Sequence, residues 1–302
     1  MTLPIVYHPD YMAPLRHGHR FPMSKYGYLR AALTRAGLLP HTGGYLAPAP
    51  ASLGQIAAVH DLGYVERAFA TRLTEAEARQ IGLPNTERVV RRARLSAAGT
   101  TLAARLALEH GIACNAAGGS HHAGPDGGAG FCVFNDVAVA ARTLLDEGIV
   151  RRILIVDCDV HQGDGTARIF ADEPRVFTLS FHAEKNYPAR KAVSDLDVPL
   201  PDNLADAPYL ETLSNHLTPL WNRVRPELVF YNGGVDPHRD DRLGRLGLTD
   251  AGLRERDRQV LSAARGRNVP VVGVLGGGYS TDPAEVAARH ALMFEEAARL
   301  AA

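Results

Sequence analysis

A chain of 302 residues with 46% hydrophobic residues has ample material for a sizeable core, which excludes an intrinsically disordered chain. Lysine plus arginine and aspartate plus glutamate number 33 each, so the formal charge is zero, and no basic block marks a nucleic-acid surface. Three cysteines without a Cys-x-x-Cys pair argue against a disulfide framework or zinc knuckle, and no apolar run approaches the ~18–20 residues that span a bilayer.

The N-terminus carries no charged segment leading into an apolar stretch, so it does not read as a secretory signal. A cytoplasmic protein with neither a membrane nor a nucleic-acid partner is expected. Leu39 to Pro50, rich in proline and glycine, predicts a surface loop. Glu87 to His110 carries an apolar stripe and stops at Gly111, which suits a helix end. Ile112-Ala113-Cys114 then predicts a strand running into a glycine-rich stretch. Asp136 to Glu147 reads as a helix capped by Asn135 and stopped by Gly148. Three more short apolar runs follow: Ile153-Leu154-Ile155-Val156, Leu228-Val229-Phe230-Tyr231, and Val271 to Leu275. Runs of this kind suit strands buried on both faces of a parallel sheet. Asp282-Pro283-Ala284-Glu285 supplies an N-cap, a proline at N1 and a glutamate at N3, so a last helix starts there. Strands alternating with helices predict one α/β domain over residues 1–302, with a central, mostly parallel sheet flanked by helices.

Open parallel sheets bind ligands beyond the carboxyl ends of their strands. Four predicted strands run into loops bearing reactive groups. They deliver Gly118-Gly119-Ser120-His121-His122-Ala123-Gly124, then Asp157, Asp159, His161 and Asp164, then Asp236, and last Tyr279. In extended chain, residues two apart project to one side, so Asp157, Asp159 and His161 would face the same point. Such a buried polar cluster is costly unless a cation compensates it, and carboxylate with imidazole suits a divalent ion. Asp236 would add a third ligand and leave a position open for water, as in a catalytic zinc site. The bland alternative is a capping or arginine-paired Asp157 beside a satisfied core histidine. A second aspartate at the same spacing, followed by Gly163-Asp164-Gly165, weighs against it.

His121-His122 alone is weak, since paired histidines also occur in surface loops. The flanking glycines let backbone approach a ligand closely, and neutral imidazole is the usual general base. Asp157 and Asp164 are candidates to accept the far N–H groups and set tautomer. Tyr279, after a triple glycine, is either an ordinary half-buried tyrosine or a donor to a developing oxyanion.

These residues resemble the zinc-dependent histone deacetylase family, within the arginase/deacetylase superfamily. The motifs are Gly118 to Ala123, Gly130-Phe131-Cys132-Val133-Phe134-Asn135-Asp136, and Val156 to Thr166. Asn232-Gly233-Gly234-Val235-Asp236, Asp241-Arg242-Leu243-Gly244 and Gly276-Gly277-Gly278-Tyr279 follow in order. Thr178 to His182 and Glu184-Lys185-Asn186-Tyr187-Pro188 look most similar to bacterial and class IV members. The resemblance implies one zinc per chain on Asp159, His161 and Asp236. It also implies His122 as general base and then acid, His121 assisting, and Tyr279 on the carbonyl oxygen. Asp157 then moves behind the zinc ligands to orient His121. Gly130 and Phe131, opposite Tyr187, would line a narrow substrate tunnel. A structural potassium would involve Asp157, Asp159, His161, Ser180 and Phe181.

The implied activity is removal of an acyl group from a lysine side chain of a protein or peptide, or from an acylated small amine. Ser120 replaces a threonine common in the family. The Ile81-Gly82-Leu83-Pro84 region lacks the rim aspartate with which class I enzymes grip a peptide backbone, so histone specificity is not implied. Two alternatives stand beside this one. A dinuclear manganese ureohydrolase-like enzyme would share the fold but need carboxylates where this chain has a histidine pair and Tyr279. A non-catalytic binder of acyl-lysine or amines would be expected to have lost the tyrosine or a metal ligand.

Overall fold

The computed structural model describes residues 2–301. At its centre lies a seven-stranded sheet. Its strands are β1 (Ile5–Val6), β2 (Ile112–Asn115), β3 (Ile153–Asp157), β4 (Val176–Ala183), β5 (Leu196–Leu200), β6 (Leu228–Asn232) and β7 (Val271–Val274). They are ordered β1-β2-β7-β6-β3-β4-β5, and every neighbouring pair is parallel. The expected mostly parallel sheet is thus parallel throughout.

Parallel neighbours need crossovers, and helices supply them except between β4 and β5. Those before the second strand are α1 (Lys25–Arg35), α2 (Leu53–Ala57), α3 (Leu62–Phe69), α4 (Glu75–Ile81) and the long α5 (Glu87–His110). After it come α6 (Asp136–Asp146), α7 (Asp164–Ile169), α8 (Asp206–Val224), α9 (Asp250–Arg265) and α10 (Pro283–Ala301). None of the described helices is long and apolar enough to cross a membrane.

All four strands anticipated from continuous apolar runs are present, and every residue in them is buried. They are also adjacent, in the order β2-β7-β6-β3, so the loops that follow them leave the sheet side by side. Helix ends follow local chemistry. Asn135 Oδ1 accepts from the N–H of Ala138 at 3.0 Å, and Asp282 Oδ1 from Ala284 at 2.8 Å. α5 stops where Gly111 takes φ +83. α6 ends one residue earlier than expected, at Asp146, with Gly148 in the left-handed turn.

Three strands have no clear sequence signal. β1 is only two residues long. β4 interrupts its apolar pattern with buried Thr178, Ser180 and His182. β5 is an edge strand containing Pro199, which an edge tolerates because one side needs no ladder partner. Leu39–Pro50 is irregular and largely exposed, apart from a bridge between Leu46 and Val6.

Candidate active site

Beyond the four central strands, the loops lock onto one another. The Gly276 N–H donates to Gly118 O at 3.2 Å, tying the loop after β7 to the loop after β2. Asp136, fully buried at the start of α6, accepts from the N–H groups of Ser120 (2.7 Å) and Gly119 (3.2 Å) and from Thr100 Oγ1 (2.6 Å). Its carboxylate holds the segment just before the histidine pair.

β3 ends at Asp157, and the chain then leaves extended geometry. The three polar groups therefore do not share one face as an extended chain would place them. Asp157 turns back: Oδ1 accepts from Asn232 Nδ2 (3.0 Å) and from the Asp159 N–H (3.1 Å), while Oδ2 lies 2.6 Å from His121 Nδ1. Asp159 and His161 go forward together, with His161 Nδ1 2.9 Å from Asp159 Oδ1 and 3.2 Å from Asp236 Oδ2. One ligand atom from each of Asp159, His161 and Asp236 lies within 4.8 Å of the others.

All three residues are buried, and Asp236 Oδ2 accepts no well-aligned hydrogen bond, its neighbour His161 Nδ1 at 3.2 Å included. Such an oxygen is costly in a protein interior unless a cation meets it. The electrostatics of the cluster favour positive charge. Burial opposes a charge on His161, yet Asp159 and Asp236 outweigh it and hold the imidazole up at about 10. Burial and then the charge of Asp159 push the Asp236 carboxyl up. The cluster is a socket for positive charge, and its N and O donors suit a divalent ion such as zinc. Glycine makes it compact: a Cβ on Gly277 would fall 2.0 Å from Asp236 Oδ2, and the Gly277 N–H donates to Asp159 Oδ2 at 2.6 Å.

Beside this socket stand the two histidines, ring centroids 4.1 Å apart. His121 faces Asp157, and His122 Nδ1 lies 2.7 Å from Asp164 Oδ1. Each carboxylate thus meets the Nδ1 of its histidine. Burial works against charge on each ring, but the outcomes diverge. Asp157 and Asp159 raise His121 to about 9, whereas burial and the charge of His121 depress His122 to about 4. His122 is therefore neutral at ordinary pH. Its ring centroid is 5.7 Å from that of His161, which lies 6.2 Å from that of Tyr279. Burial and then the charges of Asp236 and Asp159 hold the Tyr279 phenol well above its usual range, so it keeps its proton.

Gly130, Phe131 and Tyr187 line the same cavity of about 470 Å³ as His122, His161 and Tyr279. The Tyr187 ring packs edge-on to His122 at 4.8 Å, and Phe131 lies 5.9 Å from Tyr279. Gly130 takes φ +53, and a Cβ there would meet His122 Cδ2 at 2.5 Å. Ser180 is the register partner of Asp157 on the neighbouring strand, with Phe181 next along β4.

Several contributors had no role in the sequence reading. Asn232 holds Asp157 from β6. Asp241 accepts from the Tyr279 N–H at 2.6 Å, and burial with the nearby Asp236 charge raises it to about 7. Both lie inside quoted motifs, which was the available signal. Arg168 supports Asp164 at 3.1 Å. Buried Lys25 donates to Gly276 O at 3.2 Å. Arg256 is fully buried on α9 and donates to Cys158 O and Gly234 O, directly behind the Asp159 and Asp236 loops. A charged residue on a helix gives no such hint.

The fold is an all-parallel α/β sheet carrying, beyond its strand ends, a buried Asp-His-Asp group that could hold a metal ion. The profile described as "Histone deacetylase domain" matches residues 19–294, and the chain belongs to that zinc-dependent family of hydrolytic deacetylases. An uncharacterized protein of Picosynechococcus sp. is 48% identical over 297 residues, covering 98% of this chain and 99% of that one. Histone deacetylase 2 of Arabidopsis thaliana is 33% identical over 281 residues, 89% of this chain and 72% of that protein. In fold, the chain is similar to the crystal structure of acetylpolyamine aminohydrolase from Burkholderia pseudomallei. That match has a TM-score of 0.79 at 22% identity and covers 99% of each chain.

Proposed function

We propose that the chain hydrolyses the amide of an acylated lysine side chain or acylated small amine, using one zinc ion held by Asp159, His161 and Asp236. The observation that carries this reading is the buried Asp-His-Asp cluster, in which Asp236 Oδ2 accepts no well-aligned hydrogen bond, in a site that also holds a neutral His122 and a protonated Tyr279. When bound, zinc polarises the acyl carbonyl and acidifies water.

The chain's own groups do the remaining work. His122, its Nδ1 held by Asp164, presents Nε2 to take a proton from the attacking water and return it to the leaving amine. His121, kept charged by Asp157, supplies positive potential beside the developing negative charge. The Tyr279 hydroxyl donates to the carbonyl oxygen as that oxygen becomes anionic. Gly130, Phe131 and Tyr187 enclose the substrate's methylene stem, with water excluded from the reacting end. Ser180 and Phe181 join Asp157, Asp159 and His161 as the proposed potassium site, supported by the β3–β4 register. The free, buried Cys114, Cys132 and Cys158 support a cytoplasmic location.

Metal analysis together with an acyl-substrate panel tests the reading. About one zinc per chain and hydroxamate-sensitive release of acid from acetyl-lysine peptides or acetylpolyamines are expected. Two metals per chain would favour the dinuclear ureohydrolase reading. Binding of these substrates without turnover would favour a non-catalytic binder.

A further inference from the structure

The mouth of the cavity carries charge of one sign. Its charged lining residues are Arg16, Arg20 and Arg79. An adjoining hollow shares Arg16 and Arg20 and adds Arg88 and Arg242, again with no carboxylate. A third shares Arg16 and Arg79 and holds the lone acid, Glu75. Glu75 lies 3.4 Å from Arg79 with the two side chains 92% and 74% exposed, so that pair neutralises little. Among the described residues, no ion pair engages Arg16, Arg20, Arg88 or Arg242.

Nearby carboxylates are occupied elsewhere. Asp241 sits under the N–H groups of Leu243, Gly244 and Tyr279. Asp282 caps α10, and Glu285 accepts from Ser280. Arg88 also borders a hollow lined by Asp10 and Glu87, so the bias rests on Arg16, Arg20, Arg79 and Arg242 against Glu75, on a chain of zero formal charge.

The bias has a chemical consequence. With the acyl group at His122, His161 and Tyr279, the part of the substrate beyond the reacting nitrogen occupies the mouth. In an acylated polyamine that part carries ammonium groups, which the arginines repel. In a polypeptide it is neutral backbone plus flanking side chains, and flanking carboxylates match the guanidinium forks. A mouth of one sign also concentrates ligands of the opposite sign. Resting on the hydrolase reading above, we propose that this arginine-lined mouth selects acyl-lysine flanked by acidic residues in a polypeptide and rejects acylated polyamines.

The test compares acetyl-lysine peptides of equal length with acidic, neutral or basic flanks, alongside acetylspermidine and acetylputrescine, on the zinc-loaded enzyme at low and high NaCl. The expected order of kcat/KM is acidic, neutral, basic, then acetylpolyamine. At low salt the acidic-to-basic ratio should be about tenfold and shrink as salt rises. In the double variant Arg16→Glu/Arg79→Glu the ratio should invert. Taken within each protein, it cancels any difference in active fraction. Acetylpolyamines processed as fast as the acidic peptide would overturn the proposal, as would a ratio unmoved by salt and by charge reversal. Should no substrate turn over, the hydrolase reading fails while the mouth is still tested by anisotropy with labelled peptides. Tighter binding of the acidic peptide supports the proposal, and equal binding overturns it.

Discussion

Asp159 has both carboxylate oxygens committed, one facing the N–H and Nδ1 of His161 and the other accepting from Gly277. An Asp159→Asn amide keeps the shape but removes the charge that draws a cation into the socket. Zinc content and turnover should then fall together, read by elemental analysis and a deacetylation assay. Tyr279 differs, because its phenol is outside the ligand trio. Tyr279→Phe should retain about one zinc while losing on the order of 10²–10³ in kcat, the usual cost of removing one oxyanion donor. Unchanged kcat would remove Tyr279 from the mechanism. At this scale most of the site was legible in the sequence, since short motifs hold each reactive residue among glycines that admit close approach. The divergence of His121 and His122 was not, because it depends on which carboxylates the fold sets beside each ring.

Helix α9 shows how an element can serve a site it never touches. Arg256 bonds Cys158 O at 3.2 Å and Gly234 O, and pairs with Asp257 at 2.7 Å, which in turn accepts from Tyr231. One guanidinium thus holds together the loops after β3 and β6. Arg256→Met would leave Asp257 buried without its cation and two carbonyls without a donor. A destabilisation of about 3–5 kcal/mol is expected, measured by urea unfolding. A loss below about 1 kcal/mol would show that the clamp is dispensable. Within Arg254-Glu255-Arg256-Asp257-Arg258 nothing in the local sequence distinguishes the one buried arginine. Strand identity divides in a similar way. β2, β3, β6 and β7 announce themselves because burial on both faces demands continuous apolar residues. β4 hides because Thr178, Ser180 and His182 break its apolar run, and the Asp195 carboxylate and Gly163 N–H that meet Thr178 and Ser180 come from other segments.

Over the whole molecule, a cation bound to the folded state and absent from the unfolded one adds stability by mass action. Zinc should therefore raise the melting temperature of metal-free protein, and a chelator should reverse the gain. Acid should weaken the fold through a different group. Buried His60 lies 2.7 Å from Gly124 O through Nδ1 and accepts from the Asn135 N–H through Nε2, which requires the neutral ring. Burial lowers its pKa from 6.5 to about 4. The unfolded chain takes up a proton below 6.5 that the folded chain refuses until about 4, so stability is lost as pH falls through that window and levels off below it. The share is about 3 kcal/mol. His60→Gln should flatten this part of the stability profile, and an identical slope in wild type and variant would exclude His60 as its source.

What the amino-acid sequence determined by itself was local: buried strand runs, capped helix ends, and the motif loops that carry reactive side chains. Each of these is set by neighbours a few residues away. Tertiary structure decided the strand order, the turn that sends Asp157 behind Asp159 and His161, the Arg256 clamp and the cationic mouth. The mouth draws arginines from positions 16, 20 and 79, and the adjoining hollow adds Arg242. Charges that far apart in the chain act as one field only when folding brings them to a common surface.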